Sequence, residues 1–117
     1  MSPLFRRLQP ARLFRITVGD LARMLGIPKS LIVRFACWDY VLFVHRRDRG
    51  GQFISYRQLE QWRIAIASQV QQCATVQQLG QLWGELTQDC QTYQKQYKNS
   101  VLPFLETIKA QREARLN

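Results

Sequence analysis

Residues 40–55 run YVLFV, HRRDRGG, QFIS: two short stretches rich in β-branched and aromatic side chains on either side of a turn with two glycines. Such a segment dictates a β-hairpin, because the side chains favour a pleated, half-buried surface and the glycines allow the chain to reverse. Most of the remaining sequence is patterned for helix, so the chain is expected to be mainly α with one small hairpin. The hairpin tip carries Arg46, Arg47 and Arg49 against a single acid, Asp48, with His45 at its mouth. Three guanidinium groups on a tight turn point to contacts with phosphate.

The residues before the hairpin predict two short helices. Residues 1–13 (MSPLFRRLQPARL) read as a loosely ordered basic arm, and residues 14–18 (FRITV) alternate as a short strand would. Thr17 and Asp20 form a T-x-x-D helix start; Val18, Leu21, Ala22 and Leu25 then mark one face, and Gly26 ends the helix. Pro28 suits the first turn of a second helix over 28–38. On a helical wheel that segment puts Leu31, Ile32, Phe35 and Trp38 on one side and Lys29, Ser30, Val33 and Cys37 on the other, with Arg34 at the edge. Two short helices about a glycine turn, followed by a basic hairpin, spell a helix-turn-helix with a wing.

After the hairpin, Ser55 is placed to cap a helix over 56–72, with Leu59, Trp62, Ile66 and Val70 spaced for burial. Thr75 is placed to cap a second, short one carrying Val76, Leu79, Leu82, Trp83 and Leu86. Leu86, Cys90, Tyr93, Tyr97, Val101, Phe104 and Ile108 then recur at near-heptad spacing. Pro103 interrupts the run, which predicts one helix ending near Asn99 and a shorter one beyond it. This coiled-coil-like stripe reads as a dimerisation seam carried by Cys90, Tyr93, Tyr97 and Val101; a helix folded back onto its own domain is the other reading. The expected organisation is a basic arm (1–13), a winged helix-turn-helix domain (14–86) and a helical dimerisation tail (87–117) whose loss leaves the domain folded.

Of 17 Lys and Arg residues, 12 fall within residues 1–63, with only Asp20, Asp39, Asp48 and Glu60 to oppose them. That half carries +8 of the formal +9, which points it at a polyanion and the other half at a different task. No apolar run approaches the roughly 18 residues of a membrane span. The N-terminal stretch lacks the apolar centre of a secretory signal and only weakly resembles an organellar presequence. Cys37, Cys73 and Cys90 are odd in number and widely spaced, which argues against a disulfide framework or a zinc site and fits a reducing cytoplasm. The lone histidine, His45, cannot be joined into a nucleophile–base set, and no glycine-rich phosphate loop occurs, so neither an enzyme nor a cofactor is expected.

Thr17-Val18-Gly19-Asp20-Leu21-Ala22 and the turn Gly26-Ile27-Pro28 resemble the MerR family of bacterial transcription regulators. The resemblance runs over residues 16–86. It implies a homodimer binding double-stranded DNA sequence-specifically, in the cytoplasm at the nucleoid, with RNA polymerase as a further partner and no membrane. In that scheme Lys29, Ser30, Val33 and Arg34 face the major groove, while His45, Arg46, Arg47 and Arg49 of the wing, with Arg12 and Arg15 of the arm, hold phosphates. The chain departs from the family at Val33-Arg34-Phe35 in the second helix and at Gly51-Gln52 in the wing. Those departures motivate an alternative, a winged-helix adaptor that binds an acidic protein in place of DNA.

Overall fold

Thr17 and Asp20 close a reciprocal cap: the Thr17 hydroxyl accepts from the Asp20 amide (3.1 Å) and the Asp20 carboxylate accepts from the Thr17 amide (2.9 Å). Two of the amides that a helix start leaves unpaired are thereby satisfied. This begins a helix over Val18–Leu25, which buries Leu21 and Ala22 and stops at Gly26 with φ +66°. The computed structural model describes residues 2–117. In chain order its helices are α1 (Pro3–Leu8), α2 (Pro10–Leu13), α3 (Val18–Leu25), α4 (Glu60–Gln72), α5 (Val76–Thr92) and α6 (Val101–Leu116). Its strands are β1 (Ile32–Cys37), β2 (Leu42–Arg46) and β3 (Gly50–Ile54).

The predicted second helix over 28–38 does not form. A single 3-10 turn, Lys29–Leu31, leads directly into β1. Leu31, Ile32, Phe35 and Trp38 mark a helical face, but the β-branched and aromatic content of the same stretch suits a strand equally well, and a short apolar run is ambiguous by periodicity alone. What decides is a partner distant in sequence: β1 pairs antiparallel with β2, from Cys37 opposite Leu42 to Ile32 opposite Arg46. The helix-turn-helix therefore has only its first helix, and the wing is part of a three-stranded sheet of order β1-β2-β3. Residues 14–17 join no strand, and Val18 opens α3. The hairpin forms where the pattern places it but with a tighter turn: β2 runs on to Arg46 and β3 begins at Gly50, leaving Arg47–Arg49 to turn into Gly50 at φ +73°. One sheet face buries Leu42, Val44 and Ile54.

The N-terminal arm is ordered and belongs to the core. Ser2 caps α1, and Leu4, Phe5 and Leu8 are buried. Arg7 reaches Glu85 of α5 through two hydrogen bonds, at 2.9 and 2.7 Å. Behind the sheet, Ser55 caps a 3-10 turn, Tyr56–Gln58, and α4 proper begins only at Glu60. Thr75 caps α5 as expected, and α5 runs on to Thr92.

The tail does not continue as one seam. The chain leaves helix at Tyr93, makes a 3-10 turn at Gln94–Gln96 and starts α6 at Val101. Pro103 is the third residue of α6, where the missing amide has no bond to lose. α6 folds back along α4, burying Val101 and Leu105, and Arg112 Nε donates to the Cys73 carbonyl at the end of α4 (2.9 Å). Cys90, Tyr93, Tyr97 and Val101 accordingly face the chain's own interior. Tyr97 is the clearest case: its hydroxyl donates to the Asp89 carboxylate and accepts from Trp62 Nε1 (3.0 Å). Burial pushes the Cys90 thiol up to about 11, helped by the Asp89 charge. One apolar cluster runs from Leu4 to Leu105, across both boundaries that the sequence suggests.

Within that cluster Arg57 and Asp89 form a buried, two-pronged ion pair, Nε to Oδ2 at 2.7 Å and Nη2 to Oδ1 at 2.8 Å. The guanidinium sits 3.8 Å from the centre of the Tyr93 ring and within 5.3 Å of those of Trp62 and Phe5. Burial alone would raise the Asp89 carboxyl, but hydrogen bonds from Arg57, Ser2 and Tyr97 outweigh it and hold the group below its ordinary value. Its contribution to stability is therefore present above about pH 4 and lost as the pH falls through the depressed value. Asp89→Ala leaves a buried guanidinium unpaired and is expected to cost roughly 3–5 kcal/mol in urea unfolding. Replacing both partners, Arg57→Met with Asp89→Leu, should recover much of that loss; equal losses in the single and double variants would show that the charge pair is not the cause. Deleting residues 88–117 removes Asp89, Tyr97, Val101 and Leu105 together, so the fragment should lack a cooperative thermal transition by circular dichroism, against the sequence expectation of a folded domain.

Candidate nucleic-acid interface

The pairing that replaces the second helix also creates a flat outward surface. Side chains alternate across a sheet, so the register puts Ala36, Phe43 and Phe53 in one row on the outer face and Arg34, His45 and Gly51 in the next. Trp38, just beyond β1, stacks on Phe43 with centroids 5.3 Å apart and planes within 8° of parallel. Phe53 completes the group, 5.6 Å from Trp38 and 5.8 Å from Phe43. Trp38 remains 48% exposed and Phe53 63% exposed. The Arg34 guanidinium lies 5.7 Å from the centre of the Phe43 ring.

Gly51 is what lets this surface lie flat. A Cβ there would stand 2.8 Å from Phe43 Cε2, so the Phe43 ring occupies the space a side chain would need. A glycine in a strand is otherwise a weakness, and an aromatic ring laid across it from the neighbouring strand compensates.

The residues expected to touch DNA are divided by the structure into four groups. Lys29 and Ser30 occupy the 3-10 turn, and Val33 is the extra residue of a bulge between Ile32 and Arg34. None of these is on a helix. Arg34 and His45 are neighbours across β1 and β2 on the aromatic face. Arg47 is anchored at the turn by its amide to the Leu31 carbonyl (2.8 Å) and by Nε to the Ser30 carbonyl (2.9 Å), which ties the hairpin tip to Lys29–Leu31. Arg49 is exposed. Arg46 is a correction: it is buried, and its guanidinium is spent on Asp48 at 2.9 and 2.8 Å with Gln52 at 3.3 Å. It braces the turn and is not free for a phosphate. Arg12 shares a shallow groove with Arg6, Asp39 and Tyr40, next to Trp38 in the chain, whereas the Arg15 backbone meets Gln61 of α4. Among the described residues, Lys29, Arg34, Arg47 and Arg49 have no acidic partner within 4.0 Å.

Sequence reasoning placed Trp38 on the apolar side of an expected helix and did not single out Phe43 or Phe53. The signal was the alternation within the hairpin strands: Leu42 and Val44 point inward, which places Phe43 outward. It could be used only once the 28–38 segment was recognised as a strand. Arg57 and Asp89 were also missed, since nothing local links residues 32 positions apart. No helix among the described residues is long and apolar enough to cross a membrane. No protein-family model matches this chain, and no curated protein and no solved structure matches it.

Gly51→Ala should drive Phe43 off its seat and loosen the aromatic group. The expected cost is about 1–3 kcal/mol, as for other overpacked sites, with loss of the near-ultraviolet dichroism of the Trp38–Phe43 stack. Wild-type stability and an unchanged aromatic spectrum would show that the ring does not rest on the glycine.

Proposed function

We propose that this chain binds nucleic acid and that the phosphates are held by the arginines grouped on and around the β2–β3 hairpin. The observation that carries the reading is a group of cations without acidic partners: Arg34 on β1, Arg47 and Arg49 in the β2–β3 turn, and Lys29 on the 3-10 turn to which Arg47 is bonded. The concentration of +8 in residues 1–63 supports it, since a polyanion is the natural complement of such a surface. The route differs from that implied by the MerR-like resemblance. A recognition helix requires helix over 28–38, where this chain has β1, so the nucleic acid meets strands and turns. Arg6 and Arg12 extend the basic surface beyond the sheet through the groove at Tyr40.

Binding carried by phosphate contacts weakens steeply with salt, because each neutralised phosphate releases condensed counterions. Replacing Arg34, Arg47 and Arg49 together with Ala should weaken binding to oligonucleotides of any sequence. Measured by fluorescence anisotropy, the log–log salt slope should flatten by about 0.7 to 0.9 per lost contact. Arg46→Ala should instead act mainly on stability. An unchanged slope in the triple variant, or no binding to any oligonucleotide at low salt, would overturn the reading and leave the acidic-protein adaptor as the function to test.

A further inference from the structure

The aromatic group on the sheet lies beyond anything phosphate binding requires. Phosphates are held by cations; Trp38 and Phe53 offer them nothing. Covering Gly51 does not account for them either, since Phe43 alone does that. Trp38 and Phe53 nevertheless stay 48% and 63% exposed while packed on each other and on Phe43, whereas other exposed apolar side chains, such as Leu13, Ile64 and Val76, belong to no such aromatic group. A contiguous exposed aromatic surface of this kind marks a binding site.

Resting on the nucleic-acid reading above, we propose that the outer face of the sheet binds unpaired bases, so that this chain prefers single-stranded nucleic acid to a duplex. Trp38 and Phe53 are the stacking surfaces, Phe43 is the floor that holds Trp38 flat, and Arg34 and His45 flank them in the adjacent row. The commitment to bases follows from the company the rings keep. An apolar protein partner would not need Arg34 beside the Phe43 ring, nor Arg47 and Arg49 at the hairpin tip of the same sheet, and a duplex keeps its bases stacked on one another where flat rings on a sheet cannot reach their faces. Only an unpaired strand presents phosphates and open π-faces together, the combination that an aromatic platform beside a basic rim recognises. Stacking is tolerant of base identity, because every base has such a face, so broad sequence tolerance is part of the proposal.

The test is anisotropy with a labelled 15-nucleotide oligothymidine and a 15-base-pair duplex of mixed sequence, at matched low salt, on the full chain. Trp38→Ala and Phe53→Ala should each weaken single-strand binding by about 5- to 150-fold and leave duplex binding nearly unchanged. Both side chains are exposed, and the Trp38 carbonyl that accepts from the Tyr56 hydroxyl is retained in the variant, so both proteins should fold, as circular dichroism will show. Intrinsic fluorescence gives a second readout: Trp62 is fully buried and Trp83 lies on α5 beneath Lys109 of α6, so quenching by oligothymidine should be largely lost in Trp38→Ala. Equal losses on single strand and duplex, or no loss on either, would overturn the stacking platform while leaving phosphate binding in place. Absence of binding to both nucleic acids would overturn the phosphate reading as well. Sedimentation that shows a dimer dissolved by Phe53→Ala, with oligothymidine failing to compete for it, would reassign the face to a second copy of this chain and overturn the proposal.

Discussion

The Arg57–Asp89 pair is the point through which the two halves of the molecule are joined. Arg57 lies where the sheet hands the chain to α4, and Asp89 lies near the end of α5. Their two hydrogen bonds, the rings of Phe5, Trp62 and Tyr93 around the guanidinium, and the Tyr97 hydroxyl on the carboxylate tie α1, the sheet exit, α4, α5 and the link to α6 to a single centre. A buried pair of charges adds little over an apolar substitute of the same shape, but it tolerates few arrangements, because each remaining donor and lone pair needs a partner. Among the described residues no buried side-chain polar atom is left without one. The pair therefore acts chiefly to set geometry, and the geometry it sets includes the angle at which the sheet leaves the core.

That angle leaves one sheet face on the core and turns the other to solvent. The inner face is apolar, with Leu42, Val44 and Ile54, and the outer face combines rings with cations. The hairpin tip is held on both sides, by Arg46 with Asp48 within the turn and by Arg47 on the Lys29–Leu31 turn. Cations on such a tip lose less freedom on meeting a ligand than they would on a free loop.

Features legible in the sequence are those settled within a few residues. The Thr17–Asp20 cap, the stop at Gly26, the hairpin with its glycine turn and the Thr75 cap depend on neighbours in the chain, and each appears where the pattern places it. Illegible features are those settled by distant partners. Leu31–Trp38 fits a helix or a strand, and only the β2 partner selects strand. The spacing from Leu86 to Ile108 fits a seam between two chains as well as the inside of one, and only α4 lying alongside α6 distinguishes them. The N-terminal arm looks basic and loose because Arg6 and Arg7 dominate it, yet Leu4, Phe5 and Leu8 fall on its inner side. The site followed the same rule: its cations were visible, whereas its rings became a surface only when three strands were aligned.

The Arg7–Glu85 contact, which joins residues 78 positions apart, has a bearing on how the protein is made. α1 packs on α5, and α6 packs on α4, so two helices far apart in the sequence both belong to one apolar cluster. Closing such long loops yields no stabilising contact until the ends have met, which slows the search. While α5 and α6 are still inside the ribosome, Leu4, Phe5, Leu8 and Trp62 have no complete core to enter. Residues 1–63, the positive half, are made before α5 and α6 and carry those apolar side chains uncovered until both helices are available. Folding of this unit thus waits for α6, and a product truncated before it would be a substrate for chaperones and proteases.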